Sequence, residues 1–331
     1  MTREIVVNGR FLSRRITGVE RHGREILSLI GDRCRFEKTR RNGMSGHMWE
    51  QFILPTRVKA NSILWSPANT GPLMISNQAL TIHDLSPLEH PEWFQKRFAA
   101  WYRLLLPLLA RRVRVIFTPS EFVRHKVMDR FDVKSVFVAG NGVNTSSFHP
   151  GAAQCTYGLP ERYILFVGSL QPRKNLRALL QVWNEIKNNY AAFWLVIAGD
   201  IGSVYNKMAI PLTDRVRMLG YVTEDALPGL YAKATLFVFP SLDEGFGLPV
   251  FEAMACGTPV ITSDGGALPE VVGNAGLIFK LADPSGLSNA IRECLEDRNL
   301  HSSLIARGLE HAKQFSWRDS AELIWETLNE V

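Results

Sequence analysis

Two short strings in this sequence combine residue types and spacing that suit chemistry on a phosphorylated sugar. The first is Glu244-Gly245-Phe246-Gly247-Leu248-Pro249, with Glu252 one helical turn further on. Pro249 fits the first turn of a helix, and Gly257 followed by Pro259 fits its end. The start of a helix offers free N–H groups and a positive dipole end, which suit a phosphate or a sugar hydroxyl. Gly245 and Gly247 leave no side chain between the backbone amides and a ligand. Two carboxylates at such a place suit hydroxyl recognition, because carboxylates are pure acceptors. Glu252 can point back to a diol such as a ribose, and Glu244 is free to reach a reacting sugar. The second string is Gly168-Ser169-Leu170-Gln171-Pro172-Arg173-Lys174-Asn175. Its adjacent Arg173 and Lys174 can neutralise a diphosphate, one as a planar fork and one as a point charge. Two further strings follow the same logic. Thr81-Ile82-His83-Asp84 places a histidine after an apolar run, and Thr17-Gly18-Val19-Glu20 reads as a loop opening a helix.

These strings need strands to end on and helices to begin. In the second half, the apolar runs Tyr163–Val167, Trp194–Ala198, Val216–Leu219 and Thr235–Phe239 alternate with helical patterns. Near-continuous runs of this kind read as buried parallel strands in βαβ units. The first half repeats the pattern less regularly. Its strand candidates are Ile5–Val7, Ile63–Trp65, Ala79–Ile82, Val115–Thr118 and Phe137–Ala139. Its helices are expected at Gly18–Ile30, Pro91–Leu109 and Ser120–Arg130. Residues 148–161, rich in Gly, Pro and small side chains, read as an interdomain linker. In doubly wound sheets ligands sit beyond the carboxyl ends of the strands, where all four strings fall.

At 331 residues, two domains are the expectation. The four cysteines have neither disulfide-framework nor zinc spacing, and a reducing cytoplasm suits them. The start has no apolar run of signal-peptide type, and Leu104–Ala110 is too short to span a bilayer. Residues 1–150 carry 23 Lys and Arg against 12 Asp and Glu, a net of +11. Residues 151–331 carry 15 against 20, a net of −5. A basic half suits an anionic membrane surface or an acidic acceptor, or is a solvated face. No zinc-finger spacing or RNP-like string points to nucleic acid. No Asp-x-Asp pair is present to hold a divalent ion on a diphosphate, so no metal is expected.

The run DEGFGLPVFEAMACGTPVITSDGGALPEVV resembles the E-x7-E signature of retaining glycosyltransferases of family 4, also called glycosyl transferases group 1. The run HDLSPLEHPEWF is similar to that family as well. The resemblance implies the α/β fold called GT-B: two Rossmann-like doubly wound parallel-sheet domains facing a cleft, with a C-terminal helix crossing back to the first. It implies an N-terminal acceptor-binding domain over 1–147 with segment 315–331 packed on it. The donor-binding domain is then 162–314. It implies that Glu244 contacts the transferred sugar, Glu252 the ribose, and the amides of Phe246, Gly247 and Leu248 the sugar and diphosphate. Arg173 and Lys174 become the diphosphate clamp, beside Gly168 and Ser169. His83 is implied to bond the donor sugar, Gly18 to lie near the donor phosphates, Ser120 to line the cleft and Val222 to approach the base.

The expected reaction is retaining, metal-independent transfer of a hexose from a nucleoside-diphosphate sugar to a hydroxyl of a polysaccharide or lipid-linked saccharide. UDP-glucose is the expected donor and GDP-mannose the alternative, with no other cofactor. A cytoplasmic enzyme in peripheral contact with the inner face of the membrane is expected. Two rival readings share the fold: a sugar-nucleotide 2-epimerase, and a non-catalytic subunit that binds polysaccharide or a partner.

Overall fold

The computed structural model describes residues 4–152, 157–200 and 213–331. Cys155, part of the expected linker and residues 201–212 lie outside these. The chain divides into two compact units, the first made of 1–91, 96–142 and 316–331, the second of 92–95 and 143–315.

The first unit is built on a six-stranded parallel sheet in the order β2-β1-β3-β4-β5-β6. The strands are β1 (Ile5–Asn8), β2 (Arg35–Glu37), β3 (Ile63–Ser66), β4 (Gln78–Thr81), β5 (Val115–Thr118) and β6 (Val136–Val138). β1, β3, β4 and β5 are buried along their whole length. That explains why they read as continuous apolar runs. Between them lie α1 (Gly18–Ile30), α2 (Gly43–Met48), α3 (Leu54–Arg57), α4 (Ser86–Glu89), α5 (Lys96–Ala110) and α6 (Glu121–Phe131). A π turn at Trp49–Ile53 joins α2 to α3. The helix expected over Pro91–Leu109 is broken: Pro91–Trp93 form a separate 3-10 turn before α5.

The second unit has its own six-stranded parallel sheet, in the order β12-β11-β10-β7-β8-β9. The strands are β7 (Arg162–Val167), β8 (Phe193–Ala198), β9 (Val216–Gly220), β10 (Leu236–Phe239), β11 (Val260–Ser263) and β12 (Leu277–Phe279). The helices are α7 (Leu176–Ile186), α8 (Leu227–Ala232), α9 (Leu248–Ala255), α10 (Leu268–Val272), α11 (Gly286–Glu296) and α12 (Arg298–Ala312), and the chain closes with α13 (Trp317–Glu330). α7 buries Leu176, Leu179, Leu180, Trp183 and Ile186, the three-and-four spacing of an amphipathic helix. Counted from β7, the order is the doubly wound 3-2-1-4-5-6. It reverses between β7 and β10, so the loops after those two strands face each other.

The C-terminal helix α13 belongs to the first unit and packs on α1. The first unit ends at Gly142, five residues before the boundary expected at 147. The reason is local. The Val143 N–H bonds the Phe315 carbonyl at 3.3 Å, and the buried Phe148 ring packs against Tyr231, so 143–148 join the second core.

Candidate active site

The two loops at the reversal of the second sheet hold the densest cluster of buried charge there. Lys174 and Arg173 lie in a 3-10 turn after β7, and Glu244 in the loop after β10. Lys174 Nζ donates to Glu244 Oε1 at 2.5 Å, and Arg173 Nη1 to Glu244 Oε2 at 3.3 Å. Arg173 Nη1 also reaches the Asp243 carbonyl at 3.2 Å, and the Leu242 N–H bonds the Arg173 carbonyl at 2.7 Å. Lys174 Nζ lies 4.5 Å from the centre of the Phe239 ring, which adds a cation–π contact. Burial alone would raise the Glu244 pKa. The Arg173 and Lys174 charges and the Lys174 hydrogen bond outweigh it and hold the carboxyl below its ordinary value. Two buried cations side by side are the kind of charge that suits a diphosphate.

Glycines set the close approaches around this cluster. Gly199 has φ +150°, and a Cβ there would lie 1.8 Å from the Gly168 carbonyl oxygen. Gly266 has φ +66°, and its Cβ would fall 2.3 Å from the Glu244 nitrogen. The Ala267 N–H then bonds the Glu244 carbonyl at 2.8 Å, and the Ser263 hydroxyl bonds the Ser241 carbonyl. The loop after β11 therefore buttresses the loop that carries Glu244. Its GG pair was quoted in the signature run but given no job of its own.

The remaining expected residues of this unit are near the same strand ends. Gly168 is hydrogen-bonded to the end of β8 through the Ala198 carbonyl at 3.0 Å. Ser169 Oγ accepts from the Gln171 side chain at 2.7 Å. Gly245, Phe246 and Gly247 are buried in the loop, and Gly247, with φ +102°, is the N-cap of α9, which starts at Leu248. The Phe246 ring stacks on Phe251 at 5.0 Å. Glu252, buried on α9, accepts a hydrogen bond from the Tyr231 hydroxyl at 2.9 Å. Tyr231 is itself fully buried and was not found by sequence reasoning. Its signal is faint, a lone Tyr in α8 that becomes meaningful only across the fold. Val222 is buried just past β9.

In the first unit, His83 follows β4 and is buried. Its Nε2 lies 2.8 Å from the Pro67 carbonyl, which can only accept, so the ring carries its proton there. Burial lowers the His83 pKa against the opposing pull of that carbonyl and of the Asp84 and Glu20 carboxylates. The His22 ring, on α1, meets His83 edge-on at 4.9 Å and bonds Asn141 Oδ1 at 2.8 Å. Burial, with the neighbouring His83, lowers the His22 pKa to about 3 against the raising bond to Asn141. His22 was also missed, since a lone His within a helical pattern carries no signal. Gly18 opens α1, where Glu20 accepts from the Thr17 N–H at 3.3 Å and from its hydroxyl. Ser120 is the N-cap of α6 and accepts from the Val123 N–H at 3.2 Å, so its hydroxyl has a structural task.

The family described as Glycosyl transferases group 1 matches residues 157–311, the unit that holds the Glu244 cluster. Glycosyltransferase Family 4 matches residues 70–147. An O-antigen chain mannosyltransferase B of Escherichia coli is 34% identical over 262 residues, covering 75% of this chain and 69% of that one. The chain is a glycosyltransferase of the group 1, family 4 kind. This glycosyltransferase is also 32% identical over 228 residues to the O-antigen chain mannosyltransferase RfbU of Salmonella typhimurium, covering 66% and 61% of the two chains. Solved structures give the fold. Anabaena HepE, solved with UDP and glucose, matches with a TM-score of 0.74 at 16% identity over 100% of both chains. WaaG, described as a glycosyltransferase involved in lipopolysaccharide biosynthesis, matches at 0.73 and 13% identity over 98% and 99%. Both support the two-sheet GT-B architecture.

Proposed function

We propose that this glycosyltransferase transfers mannose, with retention, from GDP-mannose to a hydroxyl of a growing polysaccharide. The activities named for three similar relatives carry the choice of sugar. Escherichia coli mannosyltransferase B, Salmonella RfbU and the serotype-specific WbdA of Escherichia coli are all mannosyltransferases. They displace UDP-glucose as the expected donor. The HepE likeness does not restore it, since 16% identity carries fold alone.

In this reading the donor diphosphate lies on Lys174 and Arg173. As the glycosidic bond breaks, negative charge grows on the leaving phosphate, and fixed cations there lower the barrier. Glu244, drawn toward both cations and kept ionised, is placed at the reacting sugar. Glu252 accepts from the ribose hydroxyls, and the α9 amides beside Gly247 approach the diphosphate. No side chain is assigned as a covalent nucleophile, so the acceptor hydroxyl attacks on the face the leaving group departs from. His83, neutral with its proton on Nε2, offers Nδ1 as an acceptor for a sugar hydroxyl. Gly18 and Ser120 are taken as donor-site residues and Val222 as the base contact. The reaction is taken as metal-independent. The basic first half is taken to serve the acceptor and an anionic membrane surface.

The test is a panel of GDP-mannose, UDP-glucose and their free nucleotides, followed by thermal shift and by product analysis in EDTA. A ligand at 100 times its Kd stabilises the protein by about 2.7 kcal/mol. The expected result is a response to GDP and GDP-mannose, with Lys174→Ala lowering turnover by about 10²–10³. Selective response to UDP-glucose, or turnover only with added divalent metal, overturns the corresponding part of the reading.

A further inference from the structure

Six of the exposed large apolar side chains in this structure lie on two neighbouring stretches of the first unit. Met44, Met48, Phe52 and Ile53 face outward from α2 and the π turn that follows it. Leu104 and Leu108 face outward from α5. The spacing of four in Met44-Met48-Phe52 and in Leu104-Leu108 makes each set a stripe. Exposure is high: 59% for Met44, 58% for Phe52 and 63% for Leu104.

The two stripes are tied together from beneath. Trp101, on the same side of α5 as Leu104 and Leu108, donates from Nε1 to His47 Nδ1 at 3.1 Å, and the rings lie 5.2 Å apart. His47 lies between Met44 and Met48 in sequence and is buried where they are exposed. Behind it is a buried ion pair, Arg10 Nη1 to Glu50 Oε2 at 3.0 Å, with Glu50 Oε1 accepting from Asn8 at 2.7 Å and Thr70 at 3.1 Å. This network has no part in the proposed transfer. It pins the inner face of the α2 stretch and so fixes which side chains point outward.

The charge along and beside the stripes is mainly positive. No Asp or Glu occurs from Lys96 to Ser120, while Lys96, Arg97, Arg103 and Arg112 are exposed there. Arg40 and Arg41, exposed just before α2, add to them. Among the described residues, none of these six forms an ion pair with a carboxylate. Rigid apolar stripes within a field of unpaired cations match a bilayer of anionic lipid, where apolar burial and charge attraction act together.

We propose that the outer faces of the α2 stretch and α5 dock this glycosyltransferase onto an anionic membrane surface, as a peripheral attachment. The inference deepens the membrane part of the proposed function and is independent of the donor sugar. Its test is co-sedimentation of the full chain with phosphatidylcholine vesicles, with or without phosphatidylglycerol. Binding is expected only with phosphatidylglycerol and is expected to weaken with salt. Phe52→Glu with Leu104→Glu, and separately Arg97→Glu with Arg103→Glu, should each weaken it by at least about tenfold. Both variants should keep the wild-type thermal shift with GDP, which establishes that they fold. Equal binding by these variants, or no binding by a wild-type chain that still turns over its donor, overturns the docking surface and leaves the transferase reading intact. A wild-type dimer that both variants dissolve, without vesicle binding, assigns the face to a second copy and also overturns it.

Discussion

Tyr231 shows how a residue without a motif can govern one that has it. Its hydroxyl donates to Glu252 at 2.9 Å, and its carbonyl accepts from Thr258 at 2.7 Å, so the ring is fixed at both ends. A carboxylate held by one oxygen presents the other in a set direction. Tyr231→Phe keeps the packing and removes that hold. Its expected effect is a rise of about tenfold in the donor KM with a smaller change in kcat, from the loss of one hydrogen bond to a charged group. A nucleotide lacking the ribose diol should separate wild type from variant less than the intact nucleotide does. An unchanged KM would mean that Glu252 needs no such support. His22 gives a second prediction at this scale. Its folded pKa of about 3 lies below the ordinary 6.5, so between those values the unfolded chain binds a proton that the folded one refuses. Stability is then full above pH 6.5 and is lost as pH falls toward 3, at up to ~1.4 kcal/mol per pH unit. Melting curves from pH 7 to pH 4 should show this slope, and His22→Asn should flatten it.

At the scale of elements, burial decides what can be read in advance. β7, β8 and β10 are central strands, apolar on both faces, and their runs stand out in the sequence. β2, with the residues RFE, is half-buried at a sheet edge, and β12 has only three residues. Neither has a periodicity long enough to register. The π turn at Trp49–Ile53 obeys no pattern of 3.6 residues, so the stretch that carries Phe52 was not read as a helix. The site divides in the same way. Glu244, Arg173 and Lys174 are legible because each lies in a contiguous string. The props under Glu244 are not, because Gly266 meets it only through the fold, 22 residues along. Gly266→Ala should place a methyl against the Glu244 backbone and hold a positive φ. The conformation alone costs about 1–3 kcal/mol. Gly158→Ala is a control with φ +54° and open space around its Cβ. A drop in Tm and turnover well beyond the control is expected. Equal behaviour of the two would show that the loop after β11 does not support the loop after β10.

At the scale of the whole molecule, the two halves divide the charge between them. The first 150 residues hold a net +11, and the remainder a net of −5. The proposed work divides likewise, with anionic lipid met by the basic half and the donor by unit-two loops whose positive charge is local and buried. The comparisons follow the same seam, since separate family descriptions cover 70–147 and 157–311. The charge asymmetry was legible from composition. The position of the crossing was not, because residues 143–147 read as the end of the first domain and 148 as the start of a linker, whereas both Val143 and Phe148 are buried within the second unit.

The hydrogen bond between the Val143 N–H and the Phe315 carbonyl, at 3.3 Å, also puts the beginning and end of one long stretch side by side. Residues 143–315, the second unit apart from the short stretch 92–95, thus form a cassette inserted into a host domain, with its two ends side by side. Adjacent ends are the condition under which insertion and excision are tolerated. Expressed alone, residues 143–315 should fold and keep a thermal response to the nucleotide. Failure to fold would show that the host is needed to complete it. Where the cassette folds, donor choice becomes a transplantable trait: exchanging 143–315 between relatives should move nucleotide preference and leave acceptor preference with the host.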